Sequence, residues 1–206
     1  MASEVEIANR ALSKLGENRI TSMDDATKPA RAMKARFALL RDAELAAYAW
    51  RFAVTRVNLA SSVAVPEWGF STIYTRPVDD LRPLRVNGAW VDFRTIGVQY
   101  EATGFSSGAP MYQIIGGDIH TNLSAPLEYE YIRKEDNTGL WDALFVEALA
   151  CRLAVDAAEE LTQSTAKTEI VMRQYQEALS QARRVNALYS QPRRKASGSF
   201  MQARFS

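Results

Sequence analysis

The one histidine of this chain, His120, follows Asp118 by two residues. On an extended segment, side chains two apart share a face. The pair therefore sets a carboxylate beside an imidazole, the first half of a general-base arrangement. No recognised motif places a serine or cysteine nucleophile next to it. An exposed polar pair on a hairpin is the plainer reading. The one cysteine, Cys151, lies in an apolar helical run. A reactive thiolate needs access and electropositive surroundings, and only Arg152 is local. A buried free cysteine behaves as a small hydrophobe. Acid pairs stand at Asp24-Asp25, Asp79-Asp80 and Glu159-Glu160. A glycosidase needs two carboxyl groups about 5–10 Å apart across a sugar. Adjacent residues seldom present both that way, but carboxylates from separate loops can. Asp24, Asp25 and Asp136 precede helices, where the helix dipole favours negative charge.

With one histidine and one cysteine, the chain cannot build a two-imidazole site, a thiolate zinc cluster or an internal disulfide. It has no HExxH, CxxC or EF-hand spacing. Gly104, Gly108, Gly116 and Gly117 form neither GxGxxG nor a Walker loop. No catalytic, cofactor-binding or metal-ligating residue is assigned on this basis. Of the tryptophans, Trp50 and Trp141 sit at helical positions that predict core. That weakens a sugar or base platform built with Trp68 and Trp90. Lys and Arg total 25 against 24 Asp and Glu, so net charge is +1. That excludes a bulk electrostatic pull toward nucleic acid or anionic membrane. The acidic start, Ser3-Glu4-Val5-Glu6, is unlike a signal peptide, and no stretch is apolar enough for a membrane helix. The length, 206 residues with 47% apolar, suits one domain, or one with a sizeable insertion, needing no staples.

The elements that would position these residues follow from periodicity. Val5, Ala8, Ala11, Leu12 and Leu15 predict a helix from Ser3 to Leu15, ended by Gly16. Pro29 is a first-turn proline of a second helix reaching Ala49. Its stripe is Met33, Phe37 and Leu40, continued by Ala43 or Glu44 and then Ala47. Lys28, Arg31, Lys34 and Arg41 form a basic strip expected on the solvent side. From Arg51 to Lys134 the texture is strand and turn. Asn87-Gly88 and Gly116-Gly117 are two-residue hairpin signals. Leu127 to Arg133 alternates, so Leu127, Tyr129, Tyr131 and Arg133 share a face. Pro66, Pro77, Pro83, Pro110 and Pro126 favour edges or loops. Helix returns near Gly139, with Thr138 or Asn137 as the expected cap, and is apolar around much of its circumference. After a break at Thr162-Gln163-Ser164, a fourth helix runs from Thr165 to Tyr189, with Pro192 ending it. The simplest architecture is an α+β chain: an antiparallel bundle of four helices from residues 1–50 and 137–190, and a β-rich insertion over 51–136. Residues 191–206 form a flexible basic C-terminal arm.

That arm carries Arg193, Arg194, Lys195 and Arg204 and no acid, with Phe200, Met201 and Phe205 as apolar anchors. Two readings of it stand side by side: a frayed terminus, and an arm that orders on a partner, which the aromatic residues favour because they are unusual in a purely solvating tail. Nucleic acid is a further option, though four charges give only weak, salt-sensitive binding.

Several phrases, in order, resemble the tail tubular protein A family, the head-to-tail adaptors of short-tailed bacteriophages. They are Ile7-Ala8-Asn9-Arg10-Ala11-Leu12-Ser13-Lys14-Leu15-Gly16 with Arg19-Ile20-Thr21-Ser22-Met23-Asp24-Asp25, then Arg41-Asp42-Ala43-Glu44-Leu45 with Tyr48-Ala49-Trp50-Arg51-Phe52-Ala53. Arg76-Pro77-Val78-Asp79-Asp80-Leu81-Arg82-Pro83-Leu84-Arg85-Val86 and the stretch from Tyr131 through Trp141 to Ala150 complete the set. The resemblance covers about Glu6 to Asn186. It implies a non-enzymatic structural virion protein at the head–tail junction, made in the host bacterial cytoplasm. Twelve copies would form a ring on the portal protein, with monomers or weak association in its absence. The ring would meet the tail nozzle protein and extend the channel through which genomic DNA passes without sequence-specific contact. The arm residues Arg193, Arg194, Lys195, Phe200, Met201, Arg204 and Phe205 would dock on the portal. Ring closure requires two different faces of each subunit to meet. Arg10, Lys14, Arg31, Lys34 and Arg41 are candidates to meet Glu159, Glu160, Glu169 and Glu177 across that joint. Two other classes stay open: a cell-wall glycosidase using loop carboxylates, and a nucleic-acid-binding module using the tail.

Overall fold

A computed structural model of the chain describes residues 2–90 and 112–189. Helices and antiparallel strands are both present, so the chain is α+β. Helix α1 is Glu4–Leu15. Ser3 and Glu6 cap its start reciprocally, each side chain accepting the other's backbone N–H. Gly16 ends it in the left-handed region at φ 77°. Helix α2 is Lys28–Ala47, capped by Thr27 with Pro29 in its first turn. It stops short of the expected Ala49 because the chain turns extended at Tyr48. Trp50 then folds back under the helix end, its indole N–H donating to the Glu44 carbonyl at 2.8 Å.

Among the described residues seven strands follow: β1 Val54–Leu59, β2 Thr72–Thr75, β3 Asp80–Val86, β4 Ala89–Trp90, β5 Tyr112–Ile115, β6 Asp118–Thr121 and β7 Leu127–Arg133. They make two antiparallel sheets, ordered β1-β7-β3-β4 and β2-β6-β5. Both hairpin signals are turns. Asn87 and Gly88 take φ 47° and 77°, and Gly116 and Gly117 take 60° and 100°, the positive values that two-residue hairpins demand. Leu127, Tyr129 and Tyr131 point to one face of β7. There they meet Tyr74, Val86, Tyr112 and Ile119 in a core shared by both sheets. Pro83 is buried in β3 opposite Tyr131 of β7, and the register shifts before Arg85. β4 pairs only with Arg85 and Val86, so among the described residues no strand flanks Pro83 on its other side, and its missing N–H fits there.

A 3-10 turn, Thr138–Leu140, precedes helix α3, Ala143–Thr162. Asn137 caps that short turn, and Asp142 caps α3 itself by accepting the Leu144 N–H at 2.8 Å. The expected cap was therefore one turn early, and Leu140 is exposed rather than in a helical stripe. Gln163 adopts φ 50° at the predicted break, and helix α4 runs Thr165–Leu188. It ends before Pro192, which lies outside the described residues. Helix α3 is the central element: α1, α2 and α4 all pack on it. Its Phe145, Leu149 and Leu153 join Ile7, Leu12, Met33, Phe37 and Trp50 in the main core. Leu84 and Ile132 enter that same core from β3 and β7, so the first sheet is buried against helices on part of one face.

Candidate functional site

His120 and Asp118 both lie half-buried on β6, and His120 sits opposite Ile73 of β2. Among the described residues no hydrogen bond joins them. Cys151 is buried on α3, 3.8 Å from the Glu147 carboxylate. Burial pushes its thiol above the ordinary range, against the pull of Lys14. Five of the six paired acids are engaged by their own chain. Asp24 pairs with Lys34 at 2.6 Å. Asp25 accepts the backbone N–H groups of Thr21 and Ser22, which hold its carboxyl below the usual range. Asp79 accepts from the Tyr131 hydroxyl at 3.0 Å, and Asp80 from Arg76 and the Tyr129 hydroxyl. Glu160 pairs with Arg36 at 2.6 Å, and Glu159 is exposed. Trp50 and Trp141 are core, each with its indole N–H on a backbone carbonyl. Among the described residues no three His, Cys, Asp or Glu side chains gather as a metal site, and no helix is long and apolar enough to cross a membrane.

The polar side chains do form locks between elements. Asn9 on α1 holds Ile20 by both its N–H and its carbonyl, at 2.8 and 2.9 Å. Lys14 ties α1 to α3 through Glu147 at 2.6 Å. Burial works against the Lys14 ammonium, but Glu147 and Cys151 together outweigh it and hold the group above its ordinary value. Arg36 ties α2 to α3 through Asp156 and Glu160. Glu44 on α2 is buried, accepts from Tyr175 of α4 at 2.5 Å and lies 3.7 Å from Arg152 of α3. Asn186 of α4 accepts from the Arg51 N–H at 2.8 Å and donates to the Ala49 carbonyl at 3.0 Å. None of these locks was singled out from sequence. The signal for two of them is a polar residue where the apolar spacing continues: Glu44 on α2, and Asn186 four after Ala182.

No protein-family model matches this chain, and a comparison with curated proteins finds no match. Asn9, Ile20, Lys14, Glu44 and Glu147 fall within the phrases that carry the resemblance, and Arg36, Asp156, Glu160, Tyr175 and Asn186 fall outside them.

The candidate interface charges divide into three groups. Arg31, Glu159, Glu169 and Glu177 are exposed and have no side-chain partner among the described residues. Arg10, Lys14, Lys34 and Glu160 are engaged with Glu147, Asp24 and Arg36. Arg41 departs from the solvent-side strip: it is 5% exposed, donating to Asp42 at 2.8 Å and ion-paired with Asp136 at 2.7 Å. One helical turn past Phe37, the stripe falls on Arg41 rather than on Leu40 alone. Two carboxylates make that burial tolerable. The arm residues Arg193, Arg194, Lys195, Phe200, Met201, Arg204 and Phe205 lie outside the described residues.

Proposed function

We propose that this chain is a structural virion protein, a head-to-tail adaptor whose copies close into a ring on a portal. The ring would meet the tail nozzle on its far side and extend the DNA channel for genome retention and ejection. The observation that carries the reading is the ordered set of phrases, which runs from about Glu6 to Asn186. In this reading the four helices act as a bundle, the β region as an insertion that adds contacts, and residues 191–206 as the portal-docking arm. Function is then assembly: a folded monomer meets a preformed portal, its arm orders, and neighbours close the ring. Ordering the arm costs roughly 1–2 kcal/mol per residue of backbone, so its aromatic and basic anchors must outweigh that. Multivalency helps once several copies are placed.

Portal binding tests this. The full chain, mixed with its phage's portal assembly, should give a ring by native mass measurement and particle imaging. A chain ending at Ser190 should fail to bind. A ring that survives truncation would move docking into the folded body. Absence of any association between the full chain and a competent portal would overturn the adaptor reading.

A further inference from the structure

Strand β1 is an edge of its sheet, and among the described residues one side of its backbone is unpaired. The sheet runs β1-β7-β3-β4, so β7 covers β1 on one side only. Along an antiparallel strand, backbone groups turn alternately toward one side and the other. The Arg133 N–H of β7 donates to the Ala53 carbonyl at 2.8 Å. Thr55, Val57 and Leu59 therefore also turn their backbone groups toward β7, opposite Tyr131, Tyr129 and Leu127. Arg56 and Asn58 turn theirs outward. Among the described residues these outward N–H and carbonyl groups have no partner. Natural sheets protect such an edge with a proline, a bulge, a charge or a covering loop. On the second sheet, β2 has a cover: the Ser62 N–H donates to its Ile73 carbonyl at 2.8 Å. β1 holds no proline, and its register with β7 is unbroken from Val54 to Leu59. Its one charge, Arg56, is already paired through Nε with Glu130 at 2.6 Å.

The backbone fixes the class of occupant. Outward N–H and carbonyl groups on alternate residues are matched by an extended peptide, not by nucleic acid or lipid. The side chains fix its pattern, and β7 displays that pattern. It sets Glu130 opposite Arg56 and Glu128 opposite Asn58, with Leu127 and Tyr129 opposite Leu59 and Val57. Side chains of β1 stand above and below the sheet, so a strand added outside meets the same ones. The Arg56 side chain is 71% exposed, which leaves its Nη groups for a second carboxylate, and Val57 and Leu59 are only partly buried. An acid against Arg56 with apolar neighbours is what fits. Charge sets aside two occupants from this protein. The β1 strand of a second copy has no acid and would bring arginine or asparagine to Arg56. Residues 191–206 hold four basic side chains and no acid. β7 itself has the pattern but is held between β1 and β3.

We propose that the outer edge of β1 takes an extended segment of a partner protein as an added strand, with a carboxylate on Arg56 and apolar side chains against Val57 and Leu59. Portal docking and edge pairing are separate events, and either can fail without the other.

The probe is a blocked heptapeptide with the sequence of β7, Leu127–Arg133, set against the same peptide with both glutamates replaced by lysine. Binding to the full chain is followed by residue-resolved amide NMR and hydrogen exchange. In the free chain the Arg56 and Asn58 amides should exchange fast, and those of Thr55 and Val57 slowly. The glutamate peptide should bind saturably, protect Arg56 and Asn58, and bind about threefold or more tighter than the lysine peptide. Asn58→Pro removes only an outward N–H, which an edge tolerates, and should weaken binding about tenfold with the circular dichroism unchanged. N-methylation of alternate peptide amides asks the same of an unaltered protein: one set should abolish binding and the other should spare it. Slow exchange of Arg56 and Asn58 in the free chain means that the chain covers its own edge, and overturns the inference. Absence of saturable binding at millimolar peptide, or equal affinity for the two peptides, also overturns it. Self-association in sedimentation velocity that Asn58→Pro abolishes overturns it in favour of a second copy.

Discussion

Asn186 occupies a position on α4 that the helical spacing reserves for an apolar side chain. It is there because the connection from α2 to β1 leaves a backbone N–H at Arg51 and a carbonyl at Ala49, and one amide satisfies both. Asn186→Ala should orphan both groups and cost roughly 1–3 kcal/mol in urea unfolding, with little volume lost. Asn186→Asp keeps the acceptor for Arg51 and should cost less. An unchanged midpoint for Asn186→Ala would mean that water replaces the amide. This residue also marks where sequence reading stops. Gly16, Pro29 and Asn87-Gly88 are legible because their chemistry acts within a few residues. Arg41 and Asn186 are not, because each answers to a group far along the chain: Asp136 and the Ala49–Arg51 backbone. The same limit applies to the candidate interface. Polarity and helical face could be read, but not that Arg41 is taken by its own chain.

At the scale of elements, two predictions separate local from tertiary control. Asp142, not Asn137 or Thr138, caps α3. Asp142→Ala should therefore cost about 1 kcal/mol of stability, while Asn137→Ala should affect only the short 3-10 turn before it. Equal losses by thermal unfolding would contradict that assignment. The sheets carry a second, pH-dependent signature. Burial, then the hydrogen bond to Asp79, pushes Tyr131 up to about 12. Burial alone pushes Tyr112 up to about 12. Burial, then Asp80, raises Tyr129 further, and burial, then Glu44, raises Tyr175. A raised tyrosine is favoured neutral in the fold. The unfolded chain releases its protons first, near pH about 10. The stabilisation is thus complete below that pH and is lost as pH rises toward 12 for Tyr131 and Tyr112. The urea midpoint should be flat through neutral pH and fall in the alkaline range, and the tyrosinate absorbance of these side chains should appear with unfolding. Tyr131→Phe should make the fall shallower. A midpoint that falls equally in that variant would place the alkaline loss elsewhere.

The whole molecule leaves some charges unspent, and on the adaptor proposal they are the ones to test for ring closure. Arg31 on α2 and Glu159, Glu169 and Glu177 on α3 and α4 are exposed and have no side-chain partner among the described residues. A closed ring joins two different faces of each subunit, so a base on one face can meet an acid on the other. Exposed pairs are individually weak, roughly 0.2–1 kcal/mol, but a ring repeats the same pair at every joint. Arg31→Glu should therefore leave the monomer's unfolding free energy within about 0.5 kcal/mol while reducing ring yield on the portal. Raised salt should reduce wild-type yield in the same sense. The partner is then found by rescue. Combining Arg31→Glu with Glu159→Arg, Glu169→Arg or Glu177→Arg should restore the ring for the acid that faces Arg31 and not for the others. Reversal at Arg41 or Glu160 cannot serve, because each also breaks a pair within the chain, to Asp136 or Arg36. If Arg31→Glu forms rings as readily as wild type at low salt, these charges do not hold the joint. The apolar outer positions of α2 and α4, Leu39 and Ile170, would then be the next faces to probe.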